Sequence, residues 1–274
     1  MSETANRTLQ VLGAKLYYKV CGSGPLLLLI HGGNGNADVY HGIVSRLAED
    51  YTVVTYDRRG HSRSKLEDLT EAYSIETQSD DAHRLLAALT AEPAYVFGSS
   101  SGAVIGLDLT ARYPGQVRTL IPHEPPLLQI LPEAERVQAQ KILGSLEEHY
   151  HSEGAIPAFM KFNSALGMGM NDQSQQLSAE QLAWLGLNLE YFLAREAPGI
   201  RRYILDPAIL KTVTSQILPA GGRTSREFFP YHCSAALADY LGTKLVEFPG
   251  NHIGYVTAPR EFAAKLREIL AGQA

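Results

Sequence analysis

Apolar runs of strand length alternate with amphipathic, helix-like stretches over the first half of the chain. The run at 26–30 is wholly apolar, which is typical of a strand buried on both faces. Predicted strands lie at 26–30, 51–56, 95–97 and 117–122, after a hairpin at 9–20. Predicted helices lie at 40–49, 74–89 and 101–113. Because strands and helices alternate, we expect an α/β fold with a mostly parallel central sheet flanked by helices.

The alternation stops after the Glu-Pro-Pro segment at 124–126. Residues 127–208 have an almost entirely helical pattern, with a loop at 167–172 and no strand. The alternation then resumes with strands at 216–220 and 244–248, and with helices at 234–241 and 259–271. We therefore expect a core made of residues 1–126 and 209–274, and an inserted helical cap subdomain made of residues 127–208.

Length and composition fit one large domain with an insertion. The 274 residues are 45% hydrophobic and 19% charged, with a formal net charge of −5. Because no Lys/Arg-rich run stands out, neither nucleic acid nor a membrane is an expected partner. The first ten residues are polar and carry no signal-peptide core, and the two cysteines do not indicate a disulfide framework. We expect a cytoplasmic protein.

A Gly-Ser-Ser-Ser-Gly segment at 98–102 joins a predicted strand to a predicted helix. It fits the G-x-S-x-G pattern, in which the middle serine occupies a sharp strand-to-helix turn with its hydroxyl exposed. The glycines fit because bulkier residues would clash where the helix packs back on the strand. Ser100 is therefore the candidate nucleophile. The backbone N–H of Ser101, at the start of the helix, is a candidate oxyanion donor.

A serine hydroxyl needs a base within hydrogen-bond reach and a third group that orients the base. His252 and Glu124 each follow a predicted strand. Parallel α/β sheets place their sites at the carboxyl ends of strands, so both side chains are expected near Ser100. We predict His252 as the general base and Glu124 as the acid that orients it, with Glu227 as the alternative acid.

A second oxyanion donor is expected from the loop after the strand at 26–30, which reads His-Gly-Gly at 31–33. We assign this donor to the backbone N–H of Gly33, whereas His31 and Gly32 shape the loop. The Asp-Arg-Arg-Gly segment at 57–60 is expected to form a structural turn with internal ion pairs.

Together these segments resemble the α/β-hydrolase superfamily over nearly the whole chain. The glycine loop, the 57–60 turn, the Ser100 turn and the His252 loop occur in the order of that family. Many members carry the acid on the loop after the penultimate strand, which here is 221–227. That loop contains no aspartate, and the other location known in the family is the position of Glu124.

Within the superfamily, the segments 98–102, 123–125 and 248–252 look like those of the zearalenone lactonases of fungi and their bacterial relatives. That resemblance implies a cofactor-free enzyme that opens a macrocyclic lactone by serine chemistry, with its acid in a His-Glu-x-Pro-like segment. It supports Glu124 as the acid. The His-Gly-Gly loop is more similar to that of general esterases.

Aromatic residues recur at near-helical spacing in the predicted cap. Trp184, Leu185, Tyr191 and Phe192 fit the core of a cap, but some of them are candidates for the apolar wall of a substrate pocket above Ser100, and we assign this role to Trp184 and Tyr191. A homodimer through the cap helices is compatible with the sequence. Neither H-E-x-x-H nor C-x-x-C occurs, so we expect no metal and no cofactor.

The expected function is hydrolysis of a small-molecule carboxylic ester or lactone by a Ser-His-Glu triad. Two alternatives stay open: another chemistry of this fold, such as perhydrolysis or C–C bond hydrolysis, and a ligand receptor with slow turnover. Epoxide hydrolases and dehalogenases are disfavoured, because they use a carboxylate at the position of Ser100.

Overall fold

A computed structural model describes residues 4–168 and 178–273 of the chain. Within those residues nine strands form one sheet: β1 (Ala5–Val11), β2 (Ala14–Cys21), β3 (Leu26–Ile30), β4 (Thr52–Tyr56), β5 (Lys65–Leu66), β6 (Ala94–Ser99), β7 (Val117–His123), β8 (Ala220–Gly222) and β9 (Val246–Phe248). The α-helices of the same residues are α1 (His41–Leu47), α2 (Ile75–Leu89), α3 (Ser101–Arg112), α4 (Glu133–Glu153), α5 (Ala155–Ala165), α6 (Ala179–Tyr191), α7 (Ala197–Arg202), α8 (Pro207–Lys211), α9 (Phe229–Leu241), α10 (Gly254–Thr257) and α11 (Pro259–Ala271).

The sheet begins antiparallel and continues as parallel strands. Its order is β1-β2-β4-β3-β6-β7-β8-β9, and β5 pairs with β2. β2 is antiparallel to β1, β4 and β5, whereas the pairs from β4 to β9 are parallel. The mostly parallel sheet is therefore confirmed. The loops that follow β3, β6, β7, β8 and β9 leave the sheet at the same edge, which brings the predicted site residues together.

Two apolar cores, one on each face, hold the sheet. α1 and α11 pack on one face, and α2 and α3 pack on the other. Strand β3 shows why its sequence is wholly apolar: Leu27 and Leu29 belong to the first core, whereas Leu28 and Ile30 belong to the second. Successive side chains of a strand point to opposite faces, so a strand covered on both sides needs apolar residues at every position.

The insertion between β7 and β8 contains helices α4 to α8. The last turn of α6 continues as a π-helical turn (Phe192–Glu196) into α7. The boundary predicted after residue 208 falls inside α8, whose Leu210 is buried in the core on the α2–α3 face. The loop predicted at 167–172 starts at Gly167, which has a φ of +64°. Residues 169–172 lie outside the described residues.

Two boundaries near β8 and α9 differ from the predictions. The segment predicted as a strand at 216–220 enters the sheet only through a single bridge from Ile217 to Leu120, and β8 starts at Ala220. A 3₁₀ turn occupies Thr214–Gln216, where the Gln216 side chain donates to the carbonyl of Pro114 at 3.0 Å. Helix α9 starts at Phe229 rather than at 234, because Pro230 favours a first helical turn.

One strand of the sheet is not predicted from the sequence. The two-residue strand β5 is too short to leave a periodic pattern in the sequence. Among the described helices, none combines the length and the apolar character needed to cross a membrane.

Candidate active site

Ser100 stands in the turn between β6 and α3 with a φ of +55° and a ψ of −122°. Its N–H donates to the carbonyl of His123 at 2.9 Å, which ties the turn to β7. A β-carbon on Gly98 would lie 2.3 Å from the carbonyl oxygen of Gly102. A β-carbon on Gly102 would lie 2.2 Å from the carbonyl oxygen of Ile30. Helix and sheet are thus in contact through both glycines, and the strained serine between them is what G-x-S-x-G predicts.

Glu124 and His252 form a hydrogen-bonded pair beside this turn. The Oε2 atom of Glu124 lies 2.6 Å from Nδ1 of His252, and both side chains are buried. Burial raises the pKa of Glu124, but the hydrogen bond and charge of His252 outweigh it, so the pKa lies below the ordinary value. Glu124 is therefore a carboxylate, and it accepts the hydrogen bond of Nδ1–H of His252. The alternative acid, Glu227, is exposed on the loop after β8.

The loop after β8 supports Glu124 instead of supplying an acid. The N–H of Gly222 donates to Oε1 of Glu124 at 2.7 Å. A β-carbon on Gly222 would lie 2.7 Å from the carbonyl oxygen of Gly250 and from the backbone of Asn251, which precedes His252. Because Gly222 has no side chain, the β8 and β9 loops can pack closely while the carboxylate reaches His252 from β7.

The His-Gly-Gly loop lies against the Ser100 turn. A β-carbon on Gly32 would lie 3.0 Å from the β-carbon of Ser100, and one on Gly33 would meet the ring of Phe192 at 2.7 Å. Ser101 begins α3, where the first N–H groups have no partner inside the helix. The two predicted oxyanion donors, Gly33 and Ser101, thus belong to segments that flank Ser100.

His31 is buried and holds the loop by its ring. Its Nε2 accepts the backbone N–H of Arg58 at 3.1 Å, so Nδ1 carries the proton and donates to the carbonyl of Gly32 at 2.8 Å. Burial and the charge of Arg58 lower the pKa of His31 well below its ordinary value. The ring is neutral and structural, as the sequence predicts.

The 57–60 turn is held by ion pairs, but their partners lie outside the turn, whereas the sequence predicts ion pairs inside it. Arg59 donates from Nε and Nη2 to Asp81 at 2.6 and 2.7 Å, and Arg63 donates to Asp57 at 2.7 and 2.8 Å. Asp57 also accepts the N–H of Ala37 at 2.8 Å. These bonds fix the loops after β3 and β4 to each other.

A buried ion pair that the sequence does not predict lies behind the His-Gly-Gly loop. Arg58 Nη2 lies 2.9 and 3.0 Å from the two carboxylate oxygens of Glu196, and both side chains are fully buried. Burial raises the pKa of Glu196, but Arg58 and then His61 outweigh it and hold the pKa below the ordinary value. Glu196 belongs to the π-helical turn of the cap, so its partner on β4's loop could not be found from sequence spacing.

An apolar cavity opens above Ser100. It encloses about 450 Å³, part of it open to solvent. Of the described residues that line it, the polar ones are Ser100, Ser101, Glu124 and His252. The apolar lining residues are Pro126, Leu143, Phe162, Leu166, Phe192, Ala197, Ile200, Phe229 and Pro230. The cap supplies most of this wall, and Pro126 and the first turn of α9 supply the rest.

The structure does not bring Trp184 or Tyr191 to this cavity, as far as the described lining residues go. Trp184 is half-buried on α6. The ring of Tyr191 covers the 57–60 turn: its centroid lies 5.0 Å from that of His61, and a β-carbon on Gly60 would meet it at 2.3 Å. Phe192, the next residue and one of the four candidates, does line the cavity. Helical spacing identified the right helix, but only the packed structure shows which side faces the serine.

No cluster of three or more His, Cys, Asp or Glu side chains in the described part of the chain is arranged to hold a metal ion. His149 and His151 lie two positions apart on α4 and form no such cluster; Nδ1 of His149 lies 2.9 Å from Oε1 of Glu153.

Comparison with known proteins agrees with this geometry. Residues 25–191 match the family described as having the α/β-hydrolase fold. The chain is 52% identical over 269 residues to a Bacillus subtilis (strain 168) protein named uncharacterized hydrolase YraK. The aligned region covers 97% of this chain and 96% of that protein.

Solved structures share the architecture at low identity. A Pseudomonas aeruginosa protein provisionally named an epoxide hydrolase superposes with a TM-score of 0.76 at 20% identity, over 98% of this chain and 96% of that one. Est816, described as an N-acyl homoserine lactone degrading enzyme, gives a TM-score of 0.72 at 21% identity, over 96% and 99% of the two chains. These similarities establish the fold. With the family match over residues 25–191, they show that the chain belongs to the α/β-hydrolase family.

Proposed function

We propose that the protein is a serine hydrolase that cleaves a carboxylic ester or lactone with a Ser100-His252-Glu124 triad. The observation that carries the proposal is the 2.6 Å contact between Glu124 and His252 in the same cavity as the strained Ser100 turn. A buried carboxylate, an imidazole and a serine that lines the cavity are the parts that acyl transfer requires.

In the proposed reaction, Oγ of Ser100 attacks the carbonyl carbon while Nε2 of His252 takes the hydroxyl proton. The oxygen that becomes negative is held by the N–H groups of Gly33 and Ser101. His252 then gives its proton to the leaving alkoxide, and the acyl group stays on Ser100. Water that loses a proton to His252 attacks this acyl group, which releases the acid and restores the serine.

Glu124 has two tasks in this scheme. It keeps the proton of His252 on Nδ1, so that Nε2 is free to accept, and it stabilises the imidazolium that forms in each step. The lowered pKa of Glu124 supports both tasks, because the carboxylate stays charged at neutral pH. Gly222 adds a hydrogen bond that favours the same charged form.

The lining of the cavity favours an uncharged substrate with an apolar body. Nine of the lining residues are apolar, and the polar ones belong to the proposed catalytic groups. A carboxylate or ammonium on the substrate would lose its hydration there without gaining a partner. A lactone fits this description as well as an open ester does, and a zearalenone-type lactone is the specific candidate that the sequence resemblance suggests.

The serine at the turn also distinguishes the proposed chemistry from that of some proteins with similar structures. Epoxide hydrolysis on this fold relies on a carboxylate at the position of Ser100, so similarity to a protein with that provisional name does not transfer the chemistry. Est816 is described as degrading a lactone, which agrees with a lactone substrate for this protein. At 21% identity, however, the two proteins share only the fold.

The test is product formation from a panel of zearalenone, simple lactones and short p-nitrophenyl esters. We expect turnover of at least one class, and a loss of about 10³-fold or more in Ser100→Ala. Ser99→Ala removes the neighbouring hydroxyl and serves as the matched control, which should keep most of the turnover. Equal rates in wild type and Ser100→Ala would contradict the proposed mechanism.

A further inference from the structure

We propose that Glu196, together with Arg58, is a positioning residue that the cap contributes to the oxyanion hole. The role rests on the function proposed above, because it concerns the N–H of Gly33 that holds the developing negative charge. Neither residue lines the substrate cavity among the described residues, so the effect would be transmitted through the loop.

The carbonyl of Gly32 sets the direction of the N–H of Gly33. The bond between Gly32 and Gly33 is planar and trans, so the carbonyl of Gly32 and the N–H of Gly33 point in opposite directions. Arg58 Nη2 donates to the carbonyl of Gly32 at 3.1 Å, and Nδ1 of His31 donates to it at 2.8 Å. Holding this carbonyl on the Arg58 side turns the N–H of Gly33 to the opposite side.

The next peptide group is held in the same way. The carbonyl of Gly33 accepts from Arg58 Nη2 at 3.1 Å and from Nε2 of His61 at 2.8 Å. Both carbonyls of the glycine pair are thus anchored by buried side chains. The N–H of Gly35 also donates to the carbonyl of Gly32, at 3.2 Å, but the carbonyl of Gly33 is held by the two side chains alone among the described hydrogen bonds. Glycine restricts its own backbone less than any other residue, so these side-chain donors fix the loop.

Glu196 holds the donors in turn. Its two oxygens lie 2.9 and 3.0 Å from Arg58 Nη2, and Oε2 lies 3.2 Å from Nε2 of His61. Because Nη2 has two hydrogens, the carboxylate and the carbonyls of Gly32 and Gly33 share them. All three side chains are fully buried, so the guanidinium has no water to replace the carboxylate. The position of Arg58, and with it the direction of the Gly33 N–H, depends on a charge that belongs to the cap.

The same face of the cap contacts the loop at two other points. Asn188 donates from Nδ2 to the carbonyl of Gly35 at 2.9 Å and accepts the N–H of Ser62 at 2.8 Å. Phe192 covers Gly33. Asn188, Phe192 and Glu196 follow each other at intervals of four residues, and the π-helical turn lies between the last two. π-helical turns inside α-helices occur frequently at functional sites, which agrees with a role for this face beyond closing the pocket.

The experiment compares wild type with Glu196→Gln, which keeps the shape of the side chain and removes its charge. The matched control is Glu190→Gln: Glu190 lies exposed on α6 and accepts a hydrogen bond from the hydroxyl of Tyr150 at 2.9 Å. For each protein we would measure kcat and KM for a p-nitrophenyl ester. We would also measure the inhibition constants of an alkyl trifluoromethyl ketone and of the methyl ketone of equal length. The trifluoromethyl ketone forms a tetrahedral adduct with an oxyanion, whereas the methyl ketone reports binding of the apolar body.

A positioning role predicts that kcat falls by about 10- to 100-fold in Glu196→Gln while KM changes little. The inhibition constant of the trifluoromethyl ketone should rise by a similar factor, and that of the methyl ketone should stay within about twofold. Glu190→Gln should match wild type in all four quantities. If Glu196→Gln does not fold, Arg58→Met combined with Glu196→Met removes both charges and leaves neither one unpaired. The same changes are expected from it.

Equal weakening of both ketones would show a merely structural role and overturn the inference, as would unchanged kcat in an active, folded Glu196→Gln protein. Wild-type protein without Ser100-dependent turnover would overturn the proposed function and this role with it. An active wild type combined with an unaffected Glu196→Gln variant would overturn the positioning role alone.

Discussion

Backbone strain is concentrated at the residues proposed for catalysis. In the described residues, three that are not glycine have a positive φ: Ser62, Ser100 and Glu124. Such conformations cost about 1–3 kcal/mol each and persist only where the surroundings enforce them. The N–H of Ser100 donates to His123, and the N–H of Glu124 donates to the carbonyl of Ala220 at 3.0 Å, so neighbouring strands enforce both. Two of three strained residues coincide with the predicted nucleophile and acid.

The acid assignment gives a direct prediction. Glu124→Gln should lower kcat by about 10²–10⁴-fold, because the amide cannot stabilise the imidazolium of His252. Glu227→Gln is the matched control, since Glu227 is the exposed glutamate of the competing loop, and it should keep wild-type kcat. Steady-state kinetics on the same ester decide between them. Loss of activity in Glu227→Gln with an active Glu124→Gln would reverse the assignment.

Sequence and structure agree best where one short segment fixes the geometry. The Ser100 turn could be predicted because Gly98 and Gly102 are required by contacts within a few residues and with the adjacent strand. Glu124 could be predicted because β7 lies beside β6 in a parallel sheet. Their catalytic roles remain predictions. Glu196 gave no signal, because its partner Arg58 lies 138 residues away along the chain.

Among the elements, the close packing of α3 on the sheet determines where the Ser100 turn lies relative to the end of β3. It depends on the absence of a side chain at Gly102, where a β-carbon would lie 2.2 and 2.6 Å from the carbonyl oxygens of Ile30 and His31. Both of these atoms belong to backbone that cannot move without disturbing β3 and the glycine loop.

We therefore expect Gly102→Ala to lower the free energy of unfolding by about 1–3 kcal/mol or more. Gly144→Ala, in the middle of α4, is the control: its β-carbon would meet no atom within 4 Å, and helix propensity should raise the free energy of unfolding by about 0.5–1 kcal/mol. Urea unfolding of the two variants measures both quantities. Equal stability of the variants would contradict the packing argument.

The cap elements were harder to predict than the sheet elements. Their helical pattern is clear in the sequence, but the faces of α6 and of the following π-helical turn are set by Arg58, His61 and Gly33 in the core. A π-helical turn also changes the number of residues per turn, so spacing alone could not decide between Tyr191 and Phe192, of which Phe192 lines the cavity.

At the scale of the whole molecule, buried titratable groups link stability to pH. His123 is fully buried among Phe97, Phe248 and Phe262. Burial lowers its pKa to about 4, whereas an unfolded histidine has a pKa of about 6.5. Between about pH 6.5 and pH 4 the histidine takes up a proton in the unfolded chain but not in the folded one. The free energy of unfolding therefore decreases as the pH falls from about 6.5 to about 4.

His123→Phe should remove this part of the pH dependence, since the new ring fits an aromatic environment and does not titrate. The free energy of unfolding of the variant should fall less steeply than that of wild type between about pH 6.5 and pH 4. Substitution of the exposed His41 by glutamine is the control and should leave the slope unchanged. Denaturant unfolding at half-unit pH steps gives the slopes, and identical slopes for wild type and His123→Phe would exclude His123 as the source.

The central claim is that Ser100 is a nucleophile activated by His252 and Glu124. Its most direct test is covalent labelling with diethyl p-nitrophenyl phosphate, followed by intact-mass and peptide analysis. The account predicts one diethylphosphoryl group per chain, on the peptide that contains Ser100, with one p-nitrophenolate released, and a slower reaction in Glu124→Gln. A protein that hydrolyses esters but takes up no label at Ser100, or an equally labelled Ser100→Ala variant, would contradict it.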